Sequence, residues 1–413
     1  MIIKDIRAYD YRGQVLKEGY VVIKNGIIES IGEGNIDTKD DETIINGGIL
    51  FPGFANMHSH LGMYILKGLS ENTSLDQWLN DIFPVEDKLY PEIVYLSSMM
   101  SLFEAVSTGT TLIADMYFFE EEAIKAVNEI GIRALISRGL ADINGNGREK
   151  VKKNLDLLKY KNDKIFISLG PHATYTCSKD YLKYIASVAK ENNLPIQIHL
   201  AENQSQQDNI MRQYEKTEVE YLNELGIFDT NVFAAHCVVL QNKEIEILKE
   251  KGVYTINCPK SNLKLGSGIA DLKKWNPDYS LIGTDSVASN NKIDIIEEGR
   301  FSSLLQKGIH KDPTLMDPYQ ILKMLTYNAY KSVGLNGGKI EEGCVADLVV
   351  YKENQAINFD PVNYLIFDNY EKPALVMVDG KIVYNGKHRK EREIKEEYKK
   401  TFTKFYKGIR EKW

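Results

Sequence analysis

Between residue 51 and about residue 335 the chain alternates short apolar runs with longer stretches of helical periodicity. The runs are GFANMH (53–58), TTLIADM (110–116), IRALISR (132–138), KIFISLG (164–170), PIQIHL (195–200), NVFAAH (231–236), GVYTIN (252–257) and YSLIGTD (279–285). Short apolar runs bounded by turn residues read as strands, and apolar positions three and four apart read as helices. Eight strands alternating with helices predict an α/β fold, a (β/α)8 TIM barrel, in which functional groups gather at the C-terminal strand ends.

The pattern changes on either side. Residues 1–50 carry alternating β-type segments such as VVIKNG and IIESIGEG, and strands return in ADLVVY and ALVMVDGKIVYNG. Asp379-Gly380 between two apolar runs is a hairpin signal. The expected division is 1–50, 51–342 as the barrel, and 343–413. The last stretch ends in a helix whose Ile394, Tyr398, Phe402, Phe405 and Ile409 form one apolar stripe on a charged surface, suited to packing on the body or on a partner subunit.

Composition narrows the function classes. Hydrophobic residues make up 43% and charged residues 26%, as in soluble globular proteins. With 51 basic against 58 acidic residues the net charge is −7, which disfavours nucleic acid as a partner. No apolar run reaches the length of a membrane span, and MIIKDIRAYDYRG lacks the apolar centre of a signal peptide. Cys177, Cys237, Cys258 and Cys344 are scattered without paired spacing. These features lead to the expectation of a reduced, cytoplasmic protein.

The chemistry lies at the strand ends. The first strand ends at His58 and His60, the fourth runs into His172, the fifth ends in His199, the sixth in His236 and the eighth in Asp285. Of seven histidines in the chain, five fall at these ends. Singly, His172, His199 and His236 read as hydrogen-bonded core residues and Asp285 as a helix N-cap. His-x-His weighs more, because strand alternation sets both imidazoles on one face. Collectively, four ligand-type groups converge on one barrel mouth, and three imidazoles with one carboxylate suit Zn²⁺ or Fe²⁺ with water at the open position.

The motifs PGFANMHSH, IHLAE, AAHC, NCPKSNLKLGSGIA and GTDSVASNN resemble the amidohydrolase superfamily over nearly the whole chain. They are most similar to its deaminase branch with 5′-methylthioadenosine/S-adenosylhomocysteine deaminases. The resemblance implies that His58, His60, His199 and Asp285 ligate the metal, that His236 orients or deprotonates the water there, and that Glu202 shuttles protons to a purine ring. It further implies Glu86 at the ribose hydroxyls, Arg138 and Arg148 at the ribose or an amino-acid tail, and His172 on the nucleoside side of the ligand. Trp78 is a candidate lining residue or a core aromatic. Both chain ends resemble the superfamily's small β-sandwich. A homo-oligomer, with Arg138 or its loop near a neighbour's pocket, is also implied.

Two-metal members carry a carboxylated lysine at the end of the fourth strand. Here Lys164 stands at its start, so one divalent ion per subunit, zinc before iron, is expected. Ser59, Ser286 and Asp271 depart from the family pattern, the last two bearing on the pocket rim. The expected activity is hydrolytic deamination of an adenine nucleoside such as methylthioadenosine, S-adenosylhomocysteine or adenosine. Alternatives are a guanine or cytosine deaminase, a triazine-type amino- or chlorohydrolase, and a non-catalytic scaffold.

Overall fold

Eight parallel strands form a ring in the computed structural model, which describes residues 1–37, 43–143, 145–353, 359–368 and 371–410. They are Phe54–Ser59, Thr110–Tyr117, Arg133–Leu140, Ile165–Ile167, Ile196–Leu200, Val232–His236, Tyr254–Asn257 and Ser280–Ile282, one on each apolar run, the first three running one or two residues past its end. The first four pair side by side, and so do the last four. Two single bridges join the halves, Leu169 with Ile196 and Ser59 with Asp285. The barrel is therefore closed.

The fourth and eighth strands are shorter than their apolar runs, for one reason. Each exchanges partners at its end. The Ser168 N–H still bonds Ile136 on the third strand, whereas the Leu169 N–H turns to Pro195 before the fifth. Likewise the Gly283 N–H bonds Asn257, whereas the Thr284 and Asp285 N–H groups both turn to the carbonyl of His58. A Cβ on Gly283 would stand 2.7 Å from His58 Cβ, so only glycine permits this approach.

The helices cover the ring by ordinary means. Lys179–Asn192 starts where the Ser178 hydroxyl accepts the Tyr181 N–H, buries Leu182, Ile185 and Ala189 on one face, and ends at Asn193 in left-handed backbone. Each fully buried Leu or Ile contributes about 1.5–3 kcal/mol by leaving water. No helix among the described residues is long and apolar enough to cross a membrane.

The two ends of the chain share one seven-stranded sheet. Its order is Lys381–Tyr384, Leu375–Val378, Leu348–Tyr351, Ile44–Pro52, Ile2–Asp10, Gly13–Lys24 and Ile27–Glu33. Asp379 and Gly380, at φ 54° and 69°, make the predicted hairpin turn. The first sheet segment runs through Pro52, two residues beyond the expected break. The helix Glu391–Arg410 lies on the body of the same chain. Ile394 and Phe405 are buried, and the Tyr398 and Tyr406 hydroxyls donate to the carbonyls of Tyr64 and Ile65 in the turn after His60. Phe402, although part of the stripe, remains 38% exposed.

One buried ion pair ties the sheet to the closed end of the barrel. Arg133, at the start of the third strand, donates from Nε and Nη2 to the two oxygens of Asp347 at 2.7 and 3.0 Å. The Tyr330 hydroxyl and the Asp379 N–H complete the carboxylate's shell. Removing one partner of such a pair leaves a buried charge uncompensated. Asp347→Ala is expected to lower the unfolding free energy by about 3–5 kcal/mol in denaturant titration, while Arg133→Lys, which keeps the charge but not the fork, loses less.

Candidate active site

Strand alternation and barrel closure bring His58, His60, His199 and Asp285 together. One donor atom from each lies within 4.8 Å of every other, and all four residues are buried. Three of them, His60, His199 and Asp285, are aimed by their other atoms. His60 Nδ1 meets the Met116 carbonyl at 2.5 Å and His199 Nδ1 meets the His172 carbonyl at 2.7 Å. A carbonyl only accepts, so both rings carry their proton on Nδ1 and turn a bare Nε2 inward. Asp285 Oδ2 accepts from the Ser261 and Ser289 hydroxyls, leaving Oδ1 toward the imidazoles, 3.1 Å from His60 Nε2. His58 Nε2 is buried with no hydrogen-bond partner. A buried orphan nitrogen facing two lone pairs and a carboxylate is costly unless a cation sits between them. The group therefore fits a divalent metal ion.

The backbone at these positions is strained. Ala201, His236, Cys237 and Asp285 all have left-handed φ, between 48° and 74°. Non-glycine residues hold such conformations only where their surroundings impose them. For Ala201 the agent is Glu218, which is fully buried. Its carboxylate accepts the Ala201 N–H at 2.7 Å and the Thr174 hydroxyl at 2.6 Å. Burial raises Glu218 to about 7. This contact sets the turn between His199 and Glu202.

Glu202 is 3% exposed, and its Oε1 lies 3.8 Å from His236 Nδ1. Burial raises its pKa against the pull of His236. His236 Nδ1 bonds the Asn262 side-chain oxygen at 2.8 Å, which leaves the lone pair on Nε2.

A cavity of about 360 Å³ opens over this group. His172, Glu86 and Trp78 line it, as does Glu202. His172 is held near 3 by burial and so is neutral, with Nδ1 3.0 Å from the Thr176 hydroxyl. Glu86 closes the helix Leu75–Glu86 and accepts the Tyr117 hydroxyl at 2.6 Å. Burial lifts Glu86 to about 7, although Tyr117 opposes the rise. Trp78 fills both roles open to it, lining the cavity while only 7% exposed.

Neither Arg138 nor Arg148 lines the cavity within the single chain. The Arg138 guanidinium pairs with Glu121 at 2.9 Å, and Arg148 lies over the Tyr184 ring at 4.8 Å. Ser59, Ser286 and Asp271 are also absent from the lining. Ser59 donates to the Ala114 carbonyl, Ser286 caps a short helix, and Asp271 pairs with His310. Sequence reasoning missed Ser261 and Asn262, although both stand in the motif NCPKSNLKLGSGIA, and it missed Glu218 and Asp115. Asp115 receives the Leu61 N–H at 2.7 Å and so anchors the chain just beyond His60.

The amidohydrolase family pattern matches residues 49–383. The chain belongs to the amidohydrolase family. A relative from Thermococcus sibiricus, named 5-methylthioadenosine/S-adenosylhomocysteine deaminase, is 37% identical over 396 residues, covering 89% of this chain and 93% of its own. A 5'-deoxyadenosine deaminase from Methanococcus maripaludis is 36% identical, covering 93% and 94%. Among solved structures, a zinc-bound adenosine deaminase from Xanthomonas campestris superposes with a TM-score of 0.88 at 25% identity, covering 99% of this chain and 98% of its own. This amidohydrolase thus keeps the family's barrel over its full length.

Glu218→Ala strands the Ala201 N–H and the Thr174 hydroxyl in a dry site. Such orphans cost about 1–3 kcal/mol each. A lower melting temperature and a reduced affinity for added Zn²⁺, read by chelator competition, are expected. Asp285→Ala is expected to abolish near-stoichiometric metal retention, as measured by elemental analysis.

Proposed function

We propose that the protein catalyses hydrolytic deamination of a 5′-substituted adenine nucleoside, giving the inosine product and ammonia, with a single zinc ion. The reading is carried by Glu202, a buried carboxyl with a raised pKa set between the metal-binding group and a cavity in the size range of small-molecule sites. The deaminase names of the relatives from Thermococcus and Methanococcus support the nucleoside class. A single ion is supported by the fourth strand, which runs on through Ser168 and Leu169 into Gly170-Pro171 and offers no lysine there, while Lys164 pairs with Asp379.

When bound, the ion supplies Lewis-acid activation of water at neutral pH. The chain's own groups move the protons. His236, with its lone pair on Nε2, accepts a proton from the attacking water. Glu202 delivers a proton to purine N1 as the water oxygen bonds to C6, so the ring nitrogen does not have to carry a full negative charge. The C6–N6 bond then breaks, the amine takes up a proton, and ammonia leaves. One water is consumed for each ammonia released. Glu86 accepts from the ribose diol once ionised, and neutral His172 contacts the nucleoside without repelling the metal.

The test is loss of the adenine ultraviolet band with equimolar ammonia release. Zinc-loaded protein inert toward adenosine, methylthioadenosine and S-adenosylhomocysteine would sink the reading. Glu202→Gln is expected to lower kcat by about 10²–10⁴ with zinc retained. Glu86, raised to about 7, is protonated below that pH and ionised above it. The KM for a nucleoside should therefore fall as pH rises through 7, and Glu86→Gln should remove that dependence.

A further inference from the structure

The motifs NCPKSNLKLGSGIA and GTDSVASNN hold two residues that the chemistry above leaves without a task, Lys264 and Asn291. They follow the seventh and eighth barrel strands, and both meet Glu71 in the loop between the turn Leu61–Leu66 and the helix Leu75–Glu86. Lys264 Nζ lies 2.8 Å from Glu71 Oε2 and donates to the Asn291 side-chain oxygen at 2.5 Å. Asn291 Nδ2 donates to Glu71 Oε1 at 2.8 Å, which closes the triangle. The bond from Lys264, above all, holds the Glu71 carboxyl below its usual range.

What the triangle fastens is a wall of the cavity. The helix Leu75–Glu86 brings Trp78, Ile82, Phe83 and Glu86 to the lining. The loop before it is tied to the helix itself. The Ser70 hydroxyl donates to Asp81 Oδ2 at 2.7 Å, and the Ser74 hydroxyl accepts the Gln77 N–H. Gly68 and Asn72, at φ 80° and 60°, turn the chain on either side of Glu71. Loop and helix thus form one piece, and Glu71 joins that piece to segments beyond two other strands. Trp78 and Ile82 also pack in an apolar cluster with Leu265 and Phe405. Apolar packing has no direction and presses the helix down without fixing where it stands, whereas hydrogen bonds with set geometry do fix it.

We infer that Glu71, Lys264 and Asn291 are positioning residues, a polar clamp that holds the helix Leu75–Glu86 over the cavity and so sets Glu86 and Trp78 against the nucleoside. None of the three lines the cavity, so they act through the helix. The clamp rests on the nucleoside reading for its ligand and on the geometry alone for its mechanics.

The experiment breaks the clamp by charge reversal and then rebuilds it. Glu71→Lys sets two ammonium groups against each other, and adding Lys264→Glu restores the pair with its signs exchanged. The Asn291 amide serves both arrangements by turning end for end. Hydrogen exchange is followed by mass spectrometry with no nucleoside present. The single variant is expected to exchange residues 75–86 at least about threefold faster than wild type, the worth of one partly exposed ion pair, with residues 196–200 unchanged. Its KM for methylthioadenosine, which is uncharged, should rise by about the same factor while kcat changes little, and the double variant should recover both. A single variant whose exchange or KM stays at the wild-type value overturns the clamp, as does a double variant that does not recover. Wild-type protein supplies an arm that needs no variant to fold. Raising salt from about 0.05 to about 0.5 M screens the pair, so exchange over 75–86 should quicken, and an unchanged rate overturns the clamp. Wild-type protein that deaminates no nucleoside would instead remove the nucleoside reading, while the exchange measurements test the clamp without any substrate, which separates the two failures.

Discussion

The approach of the eighth barrel strand to the first is the contact on which the rest of the site depends. Gly283 lies against His58 with no room for a side chain, and the Thr284 and Asp285 N–H groups share the His58 carbonyl. That pairing turns Asp285 into left-handed backbone and points its carboxylate at three imidazoles from two other strands. Strain of this kind costs roughly 1–3 kcal/mol at one residue. The closed barrel, with its buried apolar ring, supplies enough packing to hold it.

Around that contact lies a layer of groups that orient the metal-binding side chains and so decide the chemistry. The Met116 and His172 carbonyls select the tautomers of His60 and His199. Ser261 and Ser289 occupy one oxygen of Asp285, and Asn262 holds His236. Glu218 maintains the turn that spaces His199 from Glu202. In a site shielded from water each hydrogen bond is strong when made and expensive when broken. Rigidity at the ligands follows from this. The braces reach further still, since hydroxyls from the C-terminal helix hold the turn after His60 from outside.

Much of the barrel was legible because a strand buried on both faces must be apolar throughout, and such runs stand out. The ligands were legible because histidines are few here and sit where those runs end. Where the two arginine side chains turn was not legible. A long, flexible cation can turn toward Glu121 or a tyrosine ring as readily as into a cavity, and local sequence does not record which. Glu218 and Asn262 were overlooked for a related reason. Their importance comes from partners 17 and 26 residues away that no short motif displays.

By itself, the order of residues determined the alternation of strands and helices, the barrel, the hairpin at Asp379-Gly380 and the identity of four metal-binding side chains. These follow from periodicity and from side-chain chemistry, both of which are local. Only the tertiary structure decided how the ring closes, where the fourth and eighth strands exchange partners, which nitrogen of His60 and His199 faces inward, and where Arg138 and Arg148 turn within the chain. Those outcomes depend on contacts between distant segments, where sterics and buried hydrogen bonds choose among arrangements that the sequence alone leaves equally open.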